Sequence, residues 1–162
     1  MYSRRGGRQA SGEGSFRTMV DVVTEIEIAR PREQVAAYVL DQDNAPNWYE
    51  NIKSVEWESH PPVAVGSRFA YVARFLGSRL VYTYEVRELV EGERLVMSTA
   101  DGPFEMVTTY TWEDAPDGAT RMTLRNSGDP GRFGKLSTPL ISTAIRRANR
   151  KDLRRLKTLL EG

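Results

Sequence analysis

The chain has no cysteine and a single histidine, His60, among its 162 residues. Without thiols it can form neither a disulfide nor a zinc–thiolate site, and one histidine excludes a multi-histidine metal site within the chain. No apolar run approaches the length of a membrane span, and the N-terminus lacks the apolar segment of a signal peptide. These absences predict an intracellular, cytoplasmic protein with no metal site and no cofactor.

The net charge of +1 is unevenly distributed along the chain. Residues 1–18 carry +3 and residues 139–162 carry +5, which leaves −7 on the part between them. Residues 1–18 are rich in Gly, Ser and Arg and hold almost no large apolar side chains, so we expect a disordered basic tail there. Residues 19–162 suit a single domain, which at this length buries about two thirds of the surface exposed by its unfolded chain.

Hydrophobic periodicity divides residues 19–162 into one strand, two short helices, six strands and one long helix. Alternation over residues 20–28 predicts the first strand. Helical spacing follows Pro31, and a second short helix carries Trp48. Between residues 54 and 127, β-prone runs joined by turn residues predict antiparallel neighbours. The expected fold class is α+β, with a seven-stranded antiparallel sheet wrapped around the C-terminal helix.

The C-terminal helix carries an apolar stripe and a basic remainder. Thr138 is its expected N-cap, and Pro139 fits its first turn. The stripe recurs near helical period and consists of Ile141, Ala144, Ile145, Ala148, Leu156 and Leu160. The basic residues either form a solvated face or make weak contact with an anionic membrane surface. We expect no nucleic acid partner, because the rest of the chain is acidic and its strands show no interleaving of aromatic and basic residues.

The stretch RFAYVARFLGSRLVYTYEV, residues 68–86, predicts a hairpin with the two-residue loop Gly77-Ser78. Pairing outward from this loop sets Phe75 opposite Leu80. Alternation then collects eight side chains on one face of the sheet: Phe69, Tyr71, Ala73, Phe75, Leu80, Tyr82, Tyr84 and Val86. This face is either packed core or the wall of a cavity.

Alternation places further polar groups on the same inward face. The expected inward residues of the later strands are Leu95, Met97, Thr99, Phe104, Met106, Thr108, Tyr110, Trp112, Met122, Leu124 and Asn126. An apolar pocket with a few convergent polar groups is typical of a small-ligand site. The alternative is that the hydroxyls lie at the rim of the sheet and meet water there.

Four stretches resemble the START-like superfamily, also called SRPBCC or helix-grip, and most of all its bacterial polyketide cyclase/dehydrase and lipid-transport branch. They are IEIARPREQVAAYVLDQDNAPNWYENI, VGSRFAYVARFLGSRLVYTYEVRELVEGERLVM, FEMVTTYTWEDAPDGATRMTL and DLRRLKTLLE. The resemblance implies a cavity between the sheet and the long helix. Members carry lipids, sterols, quinones, hormones or polyketides, serve as aromatases or cyclases, or activate chaperones. They share no fixed catalytic motif, so no catalytic residue is assigned.

The resemblance and the alternation pattern together select candidate ligand-binding residues. Trp48 either packs its short helix onto the sheet edge or lies beside the cavity mouth. The full set is Trp48, Phe69, Tyr71, Phe75, Tyr82, Tyr84, Met97, Met106, Thr108, Tyr110, Asn126, Ile141 and Ile145.

The remaining polar residues form no catalytic set. His60 precedes Pro61-Pro62 in a predicted loop, and Asp41, Asp43 and Glu50 are expected as helix caps and surface charges. By strand alternation no carboxylate points into the cavity. No Ser/His/Asp set, phosphate-binding glycine loop or metal-ligand spacing is present. The glycine-rich segment 128–134 is expected to be a loop that covers the pocket.

These patterns favour binding of a small hydrophobic molecule between the sheet and the C-terminal helix. A lipid, quinone, sterol or polyketide-like molecule fits this prediction. Two alternatives stay open. One is an enzyme of the polyketide aromatase/cyclase kind, and the other is a protein-interaction module of the chaperone-activator kind with a filled interior.

Overall fold

The computed structural model describes residues 19–131 and 137–162. The predicted tail at 1–18 and the part of the predicted loop at 132–134 lie outside the described residues. The 3₁₀ turns Gln42–Asn44 and Pro116–Gly118 join regular elements. The strands and helices in chain order are β1 (Val20–Ile28), α1 (Arg32–Leu40), α2 (Ala45–Trp48), β2 (Ile52–Trp57), β3 (Arg68–Phe75), β4 (Ser78–Val90), β5 (Arg94–Asp101), β6 (Glu105–Asp114), β7 (Thr120–Asp129) and α3 (Thr138–Glu161).

The seven strands form one antiparallel sheet in the order β1-β7-β6-β5-β4-β3-β2. Strands β2 to β7 follow each other as neighbours, and β1 joins the far edge by pairing with β7. This arrangement leaves one face of the sheet for the long helix α3, which packs against β1 and, through Leu153 and Leu156, against the main core. The predicted α+β fold class is confirmed, with two short α-helices between the first two strands.

Burial of apolar side chains holds α3 on the sheet. Ile141 packs with Val20 and Val22 of β1, while Leu153 and Leu156 join the larger core cluster. Complete burial of such a side chain contributes about 1.5–3 kcal/mol. The outward side of α3 is charged, and no helix in the described part of the chain is long and apolar enough to cross a bilayer.

Helix α3 begins one residue earlier than predicted. Ser137 is the N-cap: its backbone is extended, and its Oγ accepts a hydrogen bond from the N–H of Leu140 at 3.3 Å. Thr138 is therefore the first helical residue and not the cap, while Pro139 lies in the first turn as expected. Both Ser and Thr suit a cap, so the pair of hydroxyl residues made the position ambiguous in the sequence.

The β3–β4 hairpin turns at Leu76-Gly77, and not at Gly77-Ser78 as predicted. Both residues have positive φ, 48° and 78°, which is the geometry of a type I′ turn. Phe75 therefore pairs with Ser78, and Ala73 pairs with Leu80. The pairing differs from the predicted one by two residues, and side chains alternate with a period of two. The eight predicted side chains consequently still share one face.

A cavity between the sheet and the C-terminal helix

A cavity of about 160 Å³ lies between the inward face of the sheet, α2 and the inner side of α3. Apolar and aromatic side chains form most of its wall. Exposed Arg74 at the end of β3 also contributes to the lining, which places this part of the cavity at the protein surface. Twelve of the predicted residues line the cavity: Trp48, Tyr71, Phe75, Tyr82, Tyr84, Met97, Met106, Thr108, Tyr110, Asn126, Ile141 and Ile145.

Phe69 is the one predicted site residue that does not line the cavity. Its ring meets that of Trp57 edge to face, with 4.7 Å between the ring centroids, and its side chain is fully buried. Alternation placed Phe69 on the correct face of β3. However, the residue lies towards the start of that strand, beyond the lined part of the sheet, where neighbouring rings close over it.

Aromatic rings form a continuous wall on the hairpin side of the cavity. The ring of Tyr82 lies 5.6 Å from Tyr71, 5.5 Å from Tyr84 and 5.0 Å from Phe104, measured between centroids. These separations fall in the range of favourable tilted and edge-to-face contacts. The wall is thus held by its own ring contacts and presents a largely preformed apolar surface.

Trp48 combines the two roles that the sequence left open. It is 2% exposed, packs against Tyr49 at 3.9 Å and Tyr110 at 6.3 Å between ring centroids, and also lines the cavity. Burial of Trp48 anchors the four-residue helix α2 to the core. The same side chain closes one side of the cavity.

A chain of hydrogen bonds crosses the cavity wall from α3 to β4. Asn149 Nδ2 donates to Asn126 Oδ1 at 2.6 Å, and Asn126 Nδ2 donates to Thr108 Oγ1 at 2.9 Å. Thr108 Oγ1 is also bonded to the Tyr84 hydroxyl at 2.9 Å. These inward polar groups find protein partners, so for Tyr84 and Thr108, both buried, the alternative of a water-exposed rim is wrong.

Three more tyrosines are paired within the wall. The Tyr71 hydroxyl donates to Oε1 of Gln42, whose Nε2 donates to the backbone carbonyl of Val39. The hydroxyls of Tyr49 and Tyr110 are bonded to each other. Gln42 and Tyr49 were not predicted as site residues, because they lie outside the strands on segments whose orientation follows only from tertiary packing.

The cavity phenols are neutral at pH 7, as phenols with the ordinary pKa of about 10 already are, and burial raises their pKa values further. It raises the pKa of Tyr84 to about 12, with the hydrogen bond from Thr108 acting in the opposite direction. Burial is also the largest cause of the raised pKa values of Tyr71 and Tyr82, where neighbouring tyrosines add to the effect. These hydroxyls consequently serve as hydrogen-bond donors and acceptors at neutral pH, and not as bases.

Asp152 on α3 places a carboxylate in the cavity wall. The residue is 3% exposed and lines the cavity. Its Oδ1 accepts a hydrogen bond from the backbone N–H of Glu50 at 3.0 Å. None of residues 19–131 and 137–162 donates a hydrogen bond to its other oxygen, Oδ2. No strand carboxylate is among the described lining residues, in agreement with strand alternation, but the inference that the cavity therefore lacks a carboxylate base is wrong.

Burial raises the pKa of Asp152 from 3.8 to about 6. The Glu50 backbone N–H acts in the opposite direction, the Glu50 carboxylate raises the pKa further, and nearby Lys151 and Arg155 lower it. The net result is a carboxyl group that changes its charge close to neutral pH, which is unusual for aspartate and typical of functional sites.

Helical spacing contained a signal for Asp152 that strand alternation did not. Asp152 follows Ala148 by four residues and precedes Leu156 by four, so it falls within the apolar stripe of α3. Asn149, which is buried, lies three residues before it on the same side. A polar residue within an apolar stripe is a candidate site residue.

The other polar candidates have surface roles, as predicted. His60 is exposed. Asp41 caps the first 3₁₀ turn by accepting a hydrogen bond from the N–H of Asp43 at 3.1 Å. Asp43 accepts a hydrogen bond from Trp57 Nε1 at 2.8 Å, and Glu50 pairs with Lys151 at 2.7 Å. None of these four residues lines the cavity.

Solved structures from several bacteria share this fold. A START superfamily protein from Mycobacterium smegmatis is 14% identical with a TM-score of 0.75, covering 87% of this chain and 97% of that one. TTHA0849 from Thermus thermophilus is 20% identical with a TM-score of 0.73, covering 85% and 94%. The Zhui aromatase/cyclase from Streptomyces sp. R1128 is 13% identical with a TM-score of 0.73, covering 89% and 94%. At these identities the likeness concerns the fold alone.

None of the curated protein sequences matches this chain. The sequence pattern of one family, described as polyketide cyclase/dehydrase and lipid transport, matches residues 19–161. The match covers nearly all of the chain. The chain belongs to the polyketide cyclase/dehydrase and lipid transport family.

Proposed function

We propose that this protein binds a small, largely apolar molecule in the cavity between the sheet and α3. The preformed aromatic wall around Tyr82 carries this proposal, because its polar neighbours are paired with one another and leave apolar surface facing the cavity. Affinity would come from apolar burial at about 25 cal/mol per Å² removed from water, less the cost of immobilising the ligand.

The size of the cavity limits the enclosed part of the ligand. A volume of about 160 Å³ is close to that of an engineered apolar protein cavity, about 150 Å³, that binds benzene. The enclosed part is therefore about as large as one aromatic ring. A longer lipid, quinone, sterol or polyketide-like molecule would extend past Arg74 to the protein surface.

Native mass spectrometry of the purified protein, followed by denaturing extraction, tests this proposal. We expect an added mass that is released on denaturation and identified as a hydrophobic compound. Ala148→Phe projects a ring from α3 into the cavity lining and should abolish both this mass and the binding of added apolar probes. Thr143→Phe, at an exposed position of the same helix, is the matched control and should retain both. Equal binding by the two variants would contradict the proposal.

The cavity also favours ligand binding over the protein-interaction alternative. That alternative predicted a filled interior, with the exposed sheet face or the basic helix as the working surface. The side chains that line an unfilled cavity lack van der Waals contacts on one side, which lowers the stability of the folded protein. A bound molecule would recover those contacts.

Asp152 supports an enzyme of the aromatase/cyclase kind as a second candidate. Above its pKa, the carboxylate would take a proton from a methylene carbon between two carbonyl groups, and the resulting enolate would attack a further carbonyl carbon of the folded chain. The C=O π bond would break as the C–C bond forms, and protonated Asp152 would return the proton to the alkoxide oxygen. Neutral tyrosine hydroxyls would donate hydrogen bonds to the developing oxyanion. Incubation with a poly-β-ketone surrogate tests this: product formation that Asp152→Asn lowers at least about 100-fold supports it, and no product above the buffer control contradicts it.

The outward face of α3 also favours weak binding of the protein to anionic membrane lipid. Arg147, Arg150, Lys151, Arg154 and Arg155 are all exposed along it. Such a face would attract anionic lipid and bring the cavity close to a source or acceptor of apolar ligand. Sedimentation with phosphatidylserine vesicles at low salt, lost on raising the salt, would support this binding. Equal sedimentation with neutral phosphatidylcholine vesicles would contradict it.

A further inference from the structure

We propose that the cavity selects ligands that present a hydrogen-bond donor to Asp152, namely aromatic molecules bearing a hydroxyl or an amine, and rejects carboxylates. This inference rests on the proposed function, because it names the chemistry of the ligand that the cavity holds. Asp152 is the one carboxylate among the described residues that line the cavity.

Asp152 has an unused acceptor within the protein interior. An ionised carboxylate offers about four lone-pair positions, and the protein supplies a donor to Oδ1 only, from the Glu50 backbone. Asp152 is 3% exposed, so bulk water has little access to the rest of the group. Oδ2 is not among the fully buried polar atoms without a partner in the described part of the chain, so it keeps accessible surface toward the cavity that Asp152 lines. A donor on the ligand would satisfy Oδ2.

Most of the neighbouring amide and hydroxyl groups are already engaged. Asn149 and Asn126 are bonded to each other, and Asn126 is bonded to Thr108. Gln42 uses Oε1 for Tyr71 and Nε2 for the backbone carbonyls of Val39 and Leu40. A ligand donor therefore finds its strongest free acceptor at Asp152, since hydrogen bonds to charged groups are about twice as strong as neutral ones.

The charges around Asp152 disfavour a second anion. Arg74 is the one basic residue among the described cavity-lining residues, and it is exposed. Lys151 and Arg155 lie on the exposed side of α3, where Lys151 pairs with Glu50 at 2.7 Å. The groups that face Asp152 from the other elements are the Tyr49 and Tyr110 hydroxyls and the Glu50 carboxylate. A ligand carboxylate would therefore meet Asp152, and only the solvent-exposed Arg74 could offset the repulsion, which is a weak effect for an exposed charge.

A matched series of four probes tests the inference at about pH 7.5, where Asp152 is ionised. The probes are propylbenzene, 4-propylphenol, 4-propylbenzylamine and 4-propylbenzoate, with dissociation constants measured by protein-observed NMR titration. We expect the phenol, the amine or both to bind at least about 10-fold more tightly than propylbenzene, and the benzoate to bind most weakly. Tighter binding of the phenol indicates a neutral hydroxyl ligand, and tighter binding of the amine indicates a cationic one.

Asp152→Asn sharpens this test because the Glu50 N–H requires an acceptor. The oxygen of the introduced amide would take the place of Oδ1, and its NH₂ group would then occupy the position of Oδ2. The substitution therefore replaces a hydrogen-bond acceptor with a hydrogen-bond donor at the same position in the cavity. We expect the preference for phenol or amine over propylbenzene to fall about 10-fold. The benzoate should bind more tightly to this variant than to the natural protein.

Glu50→Gln is the control, since it removes a nearby exposed carboxylate but keeps the backbone N–H that holds Asp152. This variant should retain the wild-type order of the four probes. Equal affinity of all four probes for the wild-type protein would overturn the inference and leave the proposed function intact. Tightest binding of the benzoate would also overturn it. Failure of propylbenzene and the other three probes to bind would overturn the proposed function as well. The wild-type series decides the matter even if Asp152→Asn does not fold.

Discussion

Asp152 Oδ1 accepts a hydrogen bond from the backbone N–H of Glu50, with 3.0 Å between the two atoms. This bond joins α3 to the segment that follows α2, so one side chain both fastens the long helix and lines the cavity. Burial of a carboxyl group that ionises near neutral pH lowers stability, whereas an apolar residue at the same position would not. The position is therefore better explained by what Asp152 does in the cavity than by its contribution to folding.

The raised pKa of Asp152 predicts a specific dependence of stability on pH. The pKa is about 6 in the folded state against 3.8 without burial, so the folded state holds the proton more tightly. The contribution of protonated Asp152 to the free energy of unfolding is fully present below about pH 4, and it is lost as the pH rises through 6. At about 1.4 kcal/mol per pKa unit, the loss is on the order of 3 kcal/mol.

Urea denaturation of the wild-type protein and of Asp152→Asn, at about pH 4 and pH 7.5, measures this effect. We expect the difference in unfolding free energy between the two proteins to shift by roughly 2–3 kcal/mol in favour of the variant at the higher pH. The other titrating groups are common to both proteins and cancel. The same difference at both pH values would show that Asp152 has an ordinary pKa.

Asn126→Ala should destabilise the protein by about 1–2 kcal/mol, because it removes the middle of a partly buried hydrogen-bond chain. Asn149 would lose its acceptor and Thr108 would lose one of its donors. Asn47→Ala, at an exposed position of α2, is the control and should change the unfolding free energy by less than about 0.5 kcal/mol. Similar losses in the two variants would mean that the chain of hydrogen bonds contributes little.

Leu76→Asn should stabilise the β3–β4 hairpin. Leu76 is 47% exposed and has a φ of 48°, a conformation that costs an ordinary L-residue about 1–2 kcal/mol and that Asn tolerates better. We expect a gain of about 0.5–1 kcal/mol in unfolding free energy. Leu159→Asn, at a similarly exposed helical position, should be destabilising instead. A loss of stability in Leu76→Asn would place the turn elsewhere.

Ser137→Ala and Thr138→Ala separate the observed N-cap of α3 from the predicted one. Loss of the Ser137 hydroxyl leaves the N–H of Leu140 without its side-chain acceptor, and we expect a cost of about 1 kcal/mol. Thr138→Ala places a better helix former inside the first turn and should be neutral or slightly stabilising. Thermal unfolding of both variants checks the assignment, and the reverse order would return the cap to Thr138.

Strand faces were predictable from the sequence because they depend only on alternation. The hairpin register was wrong by two residues, yet Tyr71, Tyr82 and Tyr84 still line the cavity. How far along a strand the cavity extends was not predictable. Phe69 has the correct face but lies under a neighbouring ring, because the position of α3 and the loops over the sheet is a tertiary property.

Site residues outside the strands were mostly missed. Gln42 and Tyr49 lie in short segments whose orientation depends on how α2 packs through Trp48. Asp152 was also missed, although its spacing from Ala148 and Leu156 is that of the inner side of α3. Strand alternation carries no information about a carboxylate on a helix, so only the helical period could have identified it.

Intermolecular NOEs between propylbenzene and labelled methyl groups test most directly whether the cavity binds an apolar ligand. Met106 and Ile145 line opposite sides of the cavity, on β6 and α3, whereas Leu159 is exposed at the far end of α3. We expect NOEs from the bound ring to the methyl groups of Met106 and Ile145, and none to those of Leu159. NOEs confined to exposed methyl groups, or none at saturating propylbenzene, would contradict binding in the cavity.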